Sequence, residues 1–156
     1  MIWLYVTIGM VFFLFINLYY WKKSISSLEK ELKQQAWFNA PKKDYILNCY
    51  NFVADHYVMQ KHAWARAWKN FFYKDCWRKA RSIPCHMYAL FFLHCLKQRF
   101  PKTEVHLKAI NLLNQWILLH FYAAVFLEGD WMNIDCWGKK RGVPYGETIR
   151  IESWKR

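Results

Sequence analysis

The sequence predicts an α+β protein: an N-terminal transmembrane helix, then one domain in which helices pack on an antiparallel sheet. Three observations carry this. The first 21 residues hold no charged side chain. Between Tyr45 and Phe100, apolar residues recur at spacings of three and four, the helical period. After Glu104 the pattern turns β-rich, with a Glu128-Gly129 turn between two strand-like runs. With 55% of 156 residues hydrophobic, 21% aromatic and only five glycines, a disordered or collagen-like chain is excluded.

Taken in order, Met1 to Trp21 is the anchor. At about 1.5 Å per residue such a helix spans roughly 31 Å, matching a bilayer's hydrocarbon core. Trp3 and Tyr5 at one end, and Tyr19, Tyr20 and Trp21 at the other, stand where interfacial aromatic belts lie. A cleaved signal peptide would want a basic leader and a small-x-small site, which Met1-Ile2-Trp3 and its neighbours lack. A buried core helix is the remaining rival, though such helices rarely stay apolar all round for so long. Lys22, Lys23, Lys30 and Lys33 follow the span and no cation precedes it. The positive-inside rule therefore places the remainder in the cytoplasm as a single-pass protein. Five cysteines, an odd number without a CxxC pair, agree with reduced thiols there. The expected organisation is residues 1–21 anchor, 22–40 helical stalk and 41–156 domain.

The stalk reads as a helix from Ser24 to Trp37, with Ser26 and Glu29 as a capping box and Leu28, Leu32 and Trp37 on one apolar side. Asn39-Ala40-Pro41 ends it. Helices are then expected over Tyr45–Met59 and Lys61–Phe72. Lys61 to Arg81 carries seven basic residues against Asp75, interleaved with aromatics. Nucleic-acid binding is one reading. An amphipathic helix is simpler, because Arg66 and Lys69 share one face while Trp64, Trp68 and Phe71 share another. With a net charge of +12, anionic lipid or an acidic partner is favoured over nucleic acid.

Cys85 follows Ile83-Pro84 and opens a helix expected to run to Phe100, with Leu90, Leu93 and Leu96 on its apolar side. Backbone N–H groups and the positive dipole end at a helix start favour an anionic sulfur. Read alone, Cys85 is better explained as a small buried residue. Strands are expected over Glu104–Ile110, Ile117–Leu127 and Asp130–Cys136. If Leu127 and Asp130 flank a two-residue turn, Tyr122 lies opposite Asp135 and His120 diagonally across on the same face. A register shifted by two residues would put His120 directly opposite Asp135; both registers let a carboxylate orient an imidazole, and a one-residue bulge would break this. A thiol, a histidine and an acid together make the constellation of nucleophilic acyl transfer.

Ile83-Pro84-Cys85-His86-Met87-Tyr88-Ala89, His120-Phe121-Tyr122-Ala123 and Glu128-Gly129-Asp130-Trp131-Met132-Asn133-Ile134-Asp135 resemble the transglutaminase-like superfamily. Separations of 35 and 15 residues between Cys85, His120 and Asp135 suit it. The resemblance covers roughly Asp44 to Asp135. It implies a papain-like α+β fold, with the cysteine starting a helix and the histidine and aspartate on adjacent strands. Members often have glycine shortly before the cysteine and an acidic residue after it, where this chain has Ile83-Pro84 and His86.

The implied roles are Cys85 as nucleophile, His120 as base and Asp135 as the group holding His120 in its tautomer. The Cys85 N–H would donate to the oxyanion, with the Trp77 indole as second donor and His86 in the substrate cleft or at the surface. Cys49, Cys76, Cys95 and Cys136 read as small core residues. His56, His62, His94 and His106 show no metal-ligand spacing, so no cofactor is expected. The expected activity is a membrane-anchored cysteine hydrolase or acyltransferase acting on amide bonds of a protein or peptide substrate. The alternative is a catalytically silent, membrane-tethered module of the same fold that grips an acidic partner.

Overall fold

The computed structural model describes residues 2–58, 75–80, 83–111 and 119–149. Helix α1 runs unbroken over Ile2–Lys33. A 3-10 turn at Ala36–Asn39 leads to α2, Lys42–His56. The short α3 (Cys76–Lys79) and the long α4 (Cys85–Arg99) follow. Three strands come next, β1 (Val105–Asn111), β2 (Leu119–Leu127) and β3 (Asp130–Ile134), and then the single turn α5, Cys136–Lys139. The sheet is antiparallel in the order β1-β2-β3, with α4 packed on β2.

The expected anchor does not stand. Among the described residues, no helix is long and apolar enough to cross a membrane. Thr7, Gly9, Asn17, Tyr19 and Tyr20 interrupt the apolar side chains, and Lys22 and Lys23 follow at once. The single-pass topology and the cytoplasmic placement drawn from it fall with it.

Nor does a new helix begin at Ser26, because α1 is continuous there, and its second half is woven into the domain. Trp21 stacks on Phe91 with ring centroids 5.3 Å apart. Leu28 and Leu32 are fully buried in the core. The Ser24 hydroxyl accepts from the Cys76 N–H at 2.9 Å, and Ser27 donates to Asp75. Glu29 is not in a capping box but contacts His94 at 2.8 Å and accepts from Gln98.

Tyr45, Ile46, Cys49, Tyr50 and Val53 form the buried stripe of α2. On α4 the buried face is Tyr88, Ala89, Phe91, Phe92, Cys95 and Leu96. Leu90 and Leu93, expected inside, are only half-buried. The rings of Phe91 and Phe92 remove more apolar area from water than the leucines would, and so take the core face. The expected helix over Lys61–Phe72 lies outside the described residues.

The hairpin has the expected register, with Leu127 paired to Asp130 and Ala123 to Ile134. Glu128 (φ 54°) and Gly129 (φ 91°) both take the left-handed conformation of a two-residue hairpin turn whose twist matches the strands. The third strand stops one residue short of Asp135.

Candidate active site

Cys85 is the first residue of α4, after Pro84 at the N-cap. Proline suits that place, since its fixed φ is helix-compatible and no N–H is lost from the helix. The sulfur therefore stands at the end of the helix where N–H groups point outward. His120 sits near the start of β2, paired with Ile110 of β1. Asp135 is not a strand residue: it is the N-cap of α5, its Oδ1 accepting from the Gly138 N–H at 2.7 Å. That capping bond turns the chain out of the sheet and ends the strand pairing at Ile134.

The three residues are brought together. His120 Nε2 lies 2.7 Å from Asp135 Oδ2, with both side chains almost wholly buried. Cys85 also acts on the imidazole, favouring its charged form. Burial opposes a charge on the ring, but the hydrogen bonds and negative charge of Asp135 and Cys85 outweigh it. The His120 pKa is pushed up from 6.5 to about 9. A ring that keeps its proton beside a sulfur is the arrangement from which a thiolate attacks a carbonyl.

Asp135 is satisfied by more than histidine. Its Oδ2 also accepts from the Ile149 N–H at 3.1 Å and the Thr148 hydroxyl at 3.3 Å. Trp137 covers His120, with ring centroids 5.2 Å apart. Gly138, Thr148 and Ile149 were not expected from the sequence. An aspartate three residues before a glycine is a capping pattern and could have marked Gly138. The other two reach Asp135 from 13 and 14 residues away with no local signal.

Trp77 is turned to α1 and α2. It is fully buried, stacked on His56 at 3.8 Å, and its indole N–H donates to Glu31 at 2.9 Å. The proposed second oxyanion donor is thus engaged elsewhere, because α1 supplies it with a carboxylate. His86 is half-buried beside Phe121, with ring centroids 6.0 Å apart, and burial holds its pKa below the ordinary value. It does not join the hydrogen bonds that link His120 and Asp135.

The other thiols are set apart. Cys49, Cys95 and Cys136 are buried, and burial pushes the Cys95 and Cys136 thiols well up. Cys76 contacts Ser24, and burial raises it as well. Among the described residues, no group of three or more His, Cys, Asp or Glu is placed to hold a metal ion. No protein-family model, no curated protein and no solved structure matches the chain. The resemblance to the transglutaminase-like superfamily therefore rests on the residues themselves.

Proposed function

We propose that the protein is a cysteine hydrolase or acyltransferase acting on protein amide bonds through Cys85, His120 and Asp135. One observation carries this reading: a buried imidazole is held at 2.7 Å by a carboxylate, and a helix-start thiol favours its charged form. In the reaction the Cys85 sulfur attacks the carbonyl carbon, and the C–N bond breaks as the imidazolium passes its proton to the leaving nitrogen. The acyl group stays on sulfur until water or an amine takes it. The Cys85 N–H at the start of α4 supports the oxyanion. A net charge of +12 favours acidic substrates.

The same charge also favours the second reading, a binding module that grips an acidic partner without turnover. The test is incubation with a mixed library of glutamine-containing and ordinary peptides, followed by mass spectrometry of the products and of the protein. Cleaved, deamidated or amine-linked peptides, with an acyl adduct on Cys85 that Cys85→Ala lacks, are expected. Acidic peptides retained without any turnover or adduct would overturn the enzyme reading in favour of the module.

A further inference from the structure

The segment after α5 crosses the end of the hairpin as a strap. It is fastened by a bridge between Gly146 and Asn133, by the Val143 N–H donating to the Gly138 carbonyl at 3.1 Å, and by the Tyr50 hydroxyl donating to the Val143 carbonyl. Val143 and Ile149 form a small buried apolar cluster against the partly buried Ile110 and Trp137, and Trp137 also packs on the main core. So fastened, the strap delivers two donors to one oxygen, Asp135 Oδ2, which is also the oxygen that holds His120.

We propose that the strap, Val143 to Ile149, is a positioning element of the active site and that Thr148 sets how strongly Asp135 holds the proton on His120. The catalytic significance rests on the reading of Cys85, His120 and Asp135 given above. The electrostatic effect does not depend on it.

An ionised carboxylate offers about two lone-pair sites on each oxygen, and Asp135 Oδ2 carries three donors, His120, Ile149 and Thr148, while Oδ1 carries Gly138. Each donor on Oδ2 draws off part of the negative charge that the imidazolium would otherwise feel. Two of the other donors are backbone N–H groups and the third is the buried His120 ring. Thr148 is different. It is half-buried, its contact is the longest of the four, and a hydroxyl can rotate away while the backbone stays in place. Of the four contacts it is the adjustable one. Other groups among the described residues also face the pair. Cys85 faces His120 from α4, and Tyr122 lies along the same strand with rings 6.4 Å apart. Tyr50 and Cys136 feel the Asp135 charge. The neighbouring Lys139 is held by Asp55 and Asn51.

The test uses Thr148→Val in the full chain and follows the His120 imidazole through its titration by NMR. Losing one donor leaves more charge facing the ring, so the midpoint is expected to rise from about 9 by about half a pH unit. The alkaline limb of kcat/KM should move with it, and Thr148→Ser should restore both. Thr148→Ala serves as a second donor-less variant if valine prevents folding. A folded donor-less variant whose His120 titrates as in the parent would overturn the proposal. If the parent shows no turnover but the titration moves, the strap stands and the enzyme reading falls.

Discussion

Gly138 leaves no room for a side chain beside Asp135: a Cβ there would stand 2.6 Å from both Cγ and Oδ2 of the aspartate. The same residue donates its N–H to Oδ1 at 2.7 Å. Close approach of backbone and carboxylate is what makes this capping bond short, and only glycine permits it. Gly138→Ala should therefore push Asp135 off His120. We expect a stability loss of about 1–3 kcal/mol from overpacking and a fall in kcat/KM of about tenfold or more from the misplaced base. Urea unfolding and steady-state kinetics read the two separately. Parent-like kinetics in Gly138→Ala would contradict the role of the capping bond.

The raised His120 pKa makes stability depend on pH. Burial disfavours the charged ring, but Asp135 and Cys85 overcome this and lift the folded value to about 9 against 6.5 in the unfolded chain. The folded protein thus binds the proton more tightly, so the stabilisation is complete below about pH 6.5 and is lost as pH rises through about 9. Across that window the urea midpoint should fall, by a free energy on the order of a few kcal/mol. His120→Gln should flatten the dependence. A parent midpoint that is constant over the window would refute it.

Limiting iodoacetamide at mildly acidic pH should label Cys85 ahead of every other cysteine. Cys95 and Cys136 are buried and pushed up, Cys49 is fully buried, and Cys76 is raised by burial beside Ser24. His120→Ala should slow the Cys85 reaction several-fold, on the order of the benefit of a paired base. Peptide mapping after short exposure decides it. Equal labelling of Cys76 and Cys85 would remove the activated nucleophile.

Leu28 and Trp77 test how α1 belongs to the domain. Leu28→Ala should cost about 2–5 kcal/mol, the usual loss for a fully buried leucine, whereas a stalk residue would cost almost nothing. Trp77→Phe breaks the bond to Glu31 and should cost about 1 kcal/mol or more with kcat/KM unchanged. A kinetic defect in folded Trp77→Phe would return the indole to the active site.

The hairpin and the start of α4 were legible because each is specified locally. Glu128-Gly129 supplies the two left-handed positions of the turn, and Pro84 just before Cys85 marks a helix start. The turn also implies that His120 and Asp135 share a face. What was not legible depends on contacts between distant residues. The apolar run of α1 reads as a bilayer span by composition. Leu28, Leu32 and Ser24 are explained only by α4 and α3 packed against them. Trp77 lies eight residues before Cys85, a spacing that suggests the active site, yet Glu31 on α1 takes its N–H. Asp135 was placed correctly beside His120 and wrongly in a strand, because its capping bond to Gly138 competes with strand pairing.

The strap has a consequence for the order in which the site comes into being during synthesis. Cys85 is made first, then His120, then Asp135, and the last donor to Asp135 is the N–H of Ile149. At about 5–20 residues per second, the ribosome takes roughly 3–13 seconds to pass from the thiol to that donor. Through most of that interval the nascent thiol has no imidazole beside it, and the hairpin that brings one has yet to close. The growing chain therefore carries the Cys85 thiol past the translation machinery without that partner. The grouping of thiol, imidazole and carboxylate arrives with the closing of the hairpin and the strap, after the helices that bury the remaining thiols have already been made.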